Sequence, residues 1–72
     1  MAKQVRWVGE PPAACDVCNA PIITEFVDGQ TTMGPWANMC TGCHRKVGVG
    51  LGTGRGQKFV KGLDGRFTKS QG

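Results

Sequence analysis

Cys15, Cys18, Cys40 and Cys43 are the residues of this chain best equipped to do chemistry. They form two C-x-x-C pairs separated by 21 residues. Two cysteines three positions apart let a tight turn aim both sulfurs at one point, and a second such pair completes the tetrahedral thiolate set that zinc prefers. One Zn2+ ion on these four sulfurs is therefore expected. The chain also needs a staple: at 72 residues it buries too little apolar surface to offset the entropy of ordering unaided. Structural zinc in small peptides contributes about 10–16 kcal/mol of apparent binding free energy. The metal-free chain is accordingly expected to be unfolded.

Other thiol chemistries fit less of the sequence. Cys40-Thr41-Gly42-Cys43-His44 spells the C-x-x-C-H pattern of covalent haem attachment, which would leave Cys15 and Cys18 without a role. That haem is normally attached outside the cytoplasm, whereas the Met1–Trp7 segment has neither the long apolar stretch nor the cleavage site of an export signal. A cytoplasmic location is expected, where thiols stay reduced and paired cysteines favour metal over disulfides. Iron on four thiolates would use the same sulfurs and would show as colour. A thioredoxin-like redox role lacks its βαβ context and would again waste one pair. No apolar run approaches the ~20 residues needed to span a bilayer.

His44, the one histidine, follows a ligand cysteine directly. It could hydrogen-bond a ligand sulfur or face solvent; four sulfurs already close a zinc shell, so the solvent-facing role is expected. Catalysis is not expected. Acid–base chemistry needs positioned titratable groups, and the chain offers one histidine, the single serine Ser70 and five scattered carboxylates. One histidine is too few for an HNH-type nuclease, and a closed four-sulfur site has no position left for substrate or water.

The elements that position the cysteines read as short strands and turns. Val5 and Trp7 flank Arg6 in an alternation suited to a strand, which Gly9, Pro11 and Pro12 end. The first C-x-x-C turn follows. Ile22–Val27 is rich in β-branched and aromatic residues, and Asp28-Gly29 is a hairpin-turn dipeptide, so the chain is expected to reverse there and pair back over 30–33. Gly34-Pro35 interrupts, and Trp36–Met39 leads to the second C-x-x-C turn. Phe26 and Trp36 are expected in the core. Residues 58–69 read as a second hairpin around Asp64-Gly65, docked on the metal unit because a lone hairpin is marginal in water.

Between them, residues 48–56 carry glycine at every second position, which excludes a long helix. The run lacks the order of a phosphate-binding P-loop. It reads either as an extended segment bare on one face, with Val47, Val49, Leu51, Thr53 and Arg55 on the other, or as a flexible loop.

Charge divides along the chain. Residues 1–44 hold Lys3 and Arg6 against Glu10, Asp16, Glu25 and Asp28; residues 45–72 hold seven bases against Asp64 alone. Such asymmetry points to a polyanionic partner. A solvated basic face would give the same composition, and both readings stay open at this level. Trp7, Trp36, Phe59 and Phe67 could stack on unpaired bases or form the core; for Phe59 and Phe67 the sequence favours neither.

Over residues 15–43 the two pairs and the intervening hairpin resemble a zinc ribbon. The strings Glu-Phe-Val-Asp-Gly (25–29), Gly-Pro-Trp-Ala-Asn-Met-Cys (34–40) and Gly-Val-Gly-Leu-Gly-Thr-Gly-Arg-Gly-Gln-Lys-Phe (48–59) are similar to short zinc-ribbon proteins encoded by tailed bacteriophages. The resemblance implies action in a host cytoplasm and assigns no activity. Many zinc ribbons place glycine after the second cysteine of a pair; Asn19 and His44 stand there, so a treble-clef variant with Cys43 starting a short helix through Lys46 stands beside the ribbon.

The expectation is a small metal-stabilised β-rich domain, a zinc ribbon or treble-clef variant with a C-terminal β-hairpin. One domain spans 1–69, with a Gly-rich loop 48–56, a hairpin 58–69 and a disordered tail 70–72. Its expected function is nucleic-acid binding, DNA or RNA, through Arg55, Lys58, Lys61, Arg66 and Lys69 on phosphates. The alternative is a protein-protein interaction module acting on a host protein through an exposed hairpin edge or the glycine tract.

Overall fold

The computed structural model describes residues 7, 9–52 and 54–71. Four strands and one helix follow in the order β1 (Glu25–Gln30), β2 (Trp36–Met39), α1 (Thr41–Val47), β3 (Gly56–Lys61) and β4 (Phe67–Gln71). The strands form one antiparallel sheet in the order β2-β1-β3-β4. Among the described residues no helix is long and apolar enough to cross a membrane.

β1 buries both Phe26 and Val27, consecutive residues that point to opposite faces, so apolar material covers the sheet on both sides there. One face is aromatic. Phe26 stacks on its register partner Phe59 at 5.3 Å between centroids, and Phe67 meets Phe26 edge-on at 5.0 Å. Trp7 closes the cluster edge-on against Phe26 and Phe59, with Ile22 alongside. Edge-to-face and offset aromatic pairs add about 0.5–1.5 kcal/mol each beyond area burial. On the other face Met39, opposite Val27, packs with Cys15, Cys43, Ala37, Cys40 and Val47.

Phe59 and Phe67 are therefore core residues, which removes them as stacking platforms. Trp36, expected in the core, is half exposed on edge strand β2, because only one neighbour strand flanks it.

The first reversal differs from expectation. Asp28 and Gly29 sit inside β1, paired with Asn38 and Ala37, and the turn falls over 31–35. Thr31 fixes it: its N–H and Oγ1–H both donate to the Pro35 carbonyl, and the Gly34 N–H donates back to Thr31. Gly29 serves close approach instead. A Cβ there would stand 2.9 Å from the Arg55 carbonyl oxygen and 3.1 Å from Gly56 Cα, so β1 and β3 meet backbone to backbone.

The second hairpin forms as expected, with Gly65 at φ 80 and paired N–H···O bonds between Gly62, Gly65 and Arg66. Ser70 and Gln71, expected to be disordered, extend β4, where Gln71 pairs with Lys58. Gly72 lies outside the described residues, as do Val5 and Arg6 of the expected N-terminal strand. Trp7 donates its N–H to Phe67 along the outer edge of β4.

Of the two readings of the glycine tract, an extended segment or a flexible loop, the structure does not show the extended one. Gly50, Gly52 and Gly54 take positive φ of 104, 119 and 79, which coils the chain, and Gly52 and Gly56 exchange N–H···O bonds to start β3. Side chains would strain this path, since L residues seldom adopt such φ values. Thr53 lies outside the described residues.

Candidate metal centre

The first pair stands on a turn. Cys15 and Cys18 lie inside a small loop closed by the Ala14–Pro21 bridge and by bonds from Cys15 N–H to Ala20 and Ile22 N–H to Ala13. Asn19, directly after Cys18, has φ 62, the one positive value at a non-glycine among the described residues. Asn tolerates this left-handed conformation better than other side chains.

The second pair is built differently. Cys40 is the N-cap of α1, with extended backbone at φ −67 and ψ 160, and Cys43 lies in the first helical turn. The helix ends at Gly48, where the cap N–H donates to His44. The site thus joins one turn and one helix start rather than two equivalent turns.

Asp16 brings the halves together. Its N–H donates to the Asn38 carbonyl and its Oδ2 accepts the Asn38 N–H, both at 2.9 Å, which clamps the first turn onto β2 two residues before Cys40. All four sulfurs then lie within 4.8 Å of one another, and Cys18 and Cys40 Sγ are 3.7 Å apart. A tetrahedral shell with metal–sulfur bonds near 2.3 Å has S···S edges of ~3.8 Å. Disulfide sulfurs would stand near 2.05 Å, and all four cysteines are free.

The electrostatics suit a cation. Burial pushes the Cys15 thiol up, yet the N–H groups of Cys18, Cys40 and Val17 outweigh it and bring the thiol down to about 6. Cys43 is pushed up to about 12, first by its hydrogen bond with Cys18, then by burial and by Cys40 and Cys15. Four thiolates this close repel one another, and a dication turns that repulsion into attraction. The Val17 N–H to Cys15 and Cys43 N–H to Cys40, each 3.4 Å from sulfur, support the thiolate form. Together the four cysteines can hold a metal ion.

His44 neither reaches a ligand sulfur nor points freely into solvent. Its Nε2 lies 3.0 Å from the Gly50 carbonyl, tying α1 to the glycine tract. Gly48 must lack a side chain for this, because a Cβ there would overlap the imidazole.

The five expected phosphate contacts are divided. Arg55 is exposed in the turn before β3, and Lys61 ends that strand roughly 20 Å away at ~3.3 Å per residue. Lys58 faces the helix side of the sheet, where Glu25 Oε1 takes its ammonium at 3.6 Å. Lys61 and Lys69 pair with Phe67 and Phe59, so alternation puts them on the aromatic side, with exposed Arg66 at the hairpin turn. Lys61, Arg66 and Lys69 thus share one region that Lys58 and Arg55 do not. Sequence reasoning missed the Asp16 clamp; its one signal was a carboxylate inside the C-x-x-C turn.

No family model, curated protein or solved structure matches the chain.

Proposed function

We propose that this protein is a noncatalytic module, organised by one zinc ion in a treble-clef arrangement, that binds the phosphate backbone of nucleic acid through the basic half of its sheet. Zinc suits an all-thiolate, tetrahedral, closed set, and such sites are structural. The succession of turn, hairpin and helix start supports the treble clef over the ribbon.

The nucleic-acid reading rests on one observation, the polarity of charge across the sheet. Arg55, Lys58, Lys61, Arg66 and Lys69 lie on or beside β3 and β4, with Asp64 the one acid there. Asp16, Glu25, Asp28 and the four cysteines lie on or beside β2 and β1, where Arg45 and Lys46 on α1 are the bases. With Phe59 and Phe67 buried, affinity comes from phosphate contacts, so binding should be indifferent to sequence and steep in salt. Taken with the resemblance to phage-encoded zinc-ribbon proteins, this reading has the protein act in the cytoplasm of an infected host.

Fluorescence anisotropy of the zinc-loaded protein with single- and double-stranded DNA and RNA tests it. On duplex DNA a log–log salt slope of about −3 to −4 is expected, falling by ~0.9 for each phosphate contact removed. Changing Lys61, Arg66 and Lys69 to Ala should lower the slope more than changing Lys58, which Glu25 already neutralises. Absence of binding to all four probes at low salt would reduce the basic half to a solvated face.

A further inference from the structure

The outer edge of β2 is closed at one residue and open two residues earlier. Asp16 takes both the N–H and the C=O of Asn38. Alternate residues of a strand direct their backbone groups to the same side, so the Trp36 N–H and C=O also point outward. The Pro35 carbonyl turns inward to Thr31, which fixes this phase independently. Among the described residues no partner meets the Trp36 groups.

Beside this gap is a mainly apolar cleft of about 350 Å3 lined by Val17, Met33, Pro35, Trp36 and Ala37 together with Asp16 and Thr31. Val17, Met33 and Trp36 are 40%, 66% and 49% exposed and adjoin in this one cleft, and contiguous exposed apolar groups mark interaction surfaces. The charged residue lining the cleft is Asp16, while the exposed bases Arg45 and Lys46 stand on α1, which packs on β1 and β2. Residues 7–44 contain Glu10, Asp16, Glu25 and Asp28 and no Lys or Arg. Only Glu25 has a cationic partner among the described residues.

We infer that this edge binds an extended peptide segment of mixed basic and apolar character. The peptide backbone pairs with the Trp36 N–H and C=O, an apolar side chain enters the cleft between Val17, Met33 and Trp36, and a Lys or Arg meets Asp16. The window is one residue wide, so side chains rather than a long ladder supply the selectivity. A second copy fits less well: two β2 edges would bring like charges together, and the outer edge of β4 already carries Trp7 at Phe67. The surface lies on the opposite edge of the sheet from β4 and does not depend on nucleic-acid binding.

The test is an NMR titration of 15N-labelled, zinc-loaded protein with capped Lys-Val-Lys-Val-Lys, capped Glu-Val-Glu-Val-Glu, and the basic peptide N-methylated at its central residue. The basic peptide should give saturable shifts at Trp36, Ala37 and Asn38 and at the Trp36 indole, and the acidic one none. N-methylation or Trp36→Ala should each weaken binding about tenfold. Asp16→Asn keeps an oxygen for Asn38 and should cost the preference for basic over acidic peptide. Absence of saturable shifts in this set, an equal response to the acidic peptide, or concentration-dependent Trp36 shifts without peptide would each overturn the inference; the last would assign the edge to a second copy.

Discussion

The Cys43 N–H donates to the Cys40 sulfur at 3.4 Å across the first turn of α1. One residue therefore serves as helix cap and as one of the four sulfurs that could hold a metal ion, and the spacing that satisfies the helix N-terminus also aims both sulfurs at a common point. A donor that would be orphaned at a helix start is satisfied by a thiolate whose charge it stabilises in return.

That double role makes Cys40→Ser an informative variant. Serine is a good N-cap, so the substitution keeps the cap and removes the ligand. Zinc-bound protein should contain one equivalent of metal and give dispersed amide signals; Cys40→Ser, Cys18→Ser and chelator-treated protein should all lose the dispersion. A folded spectrum from any of them would show that the aromatic face suffices without metal.

Two glycines should respond in opposite directions. Gly29→Ala forces β1 and β3 apart against backbone atoms at 2.9 and 3.1 Å and should cost about 1–3 kcal/mol. Gly42→Ala adds a methyl to an exposed helical position whose nearest neighbour, Cys40 Sγ, is 3.9 Å away, and should add about 0.5–1 kcal/mol. Denaturant unfolding in zinc-buffered solution measures both.

Asp28 makes stability depend on pH. Burial, and then the charge of Asp16, raise its carboxyl above the ordinary value of 3.8. The extra stability of the neutral form is fully present below 3.8 and is lost as pH rises through the folded value, so at neutral pH the carboxylate is a penalty. Asp28→Asn should be more stable than the parent at pH 7, with the gap narrowing as pH falls. Thermal unfolding of zinc-loaded samples from neutral to mildly acidic pH would show an unchanging gap if this account were wrong.

Losing the His44 imidazole should loosen the glycine tract and spare the metal. His44→Ala removes the contact with Gly50 and should cost about 1 kcal/mol. Amide exchange should accelerate over residues 48–56, while competition with a zinc chelator gives the parent affinity. Weakened zinc binding would mean that the imidazole supports the site after all.

The two kinds of aromatic position separate cleanly. Phe59→Ala empties the centre of the cluster and should cost ~3–5 kcal/mol. Trp36→Ala acts on an exposed edge and should change stability by no more than about 0.5 kcal/mol. Comparable losses from both would place Trp36 in the core where the sequence reading put it.

The sequence by itself determined the four-cysteine cluster, the β-rich character and the second hairpin, because these rest on local rules. Thiol spacing limits what two sulfurs can reach, and Asp64-Gly65 supplies the positive φ that a tight turn demands. The same local rule misread Asp28-Gly29: a glycine that permits a turn also permits two backbones to touch, and only the presence of Gly56 across the sheet decides between them. Likewise, which C-x-x-C pair becomes a turn and which starts a helix, which aromatics are buried, and which lysine is neutralised by Glu25 all depend on residues distant in the chain. Tertiary structure settled them because burial and charge pairing are properties of what the fold brings close, and no spacing along the chain encodes that distance.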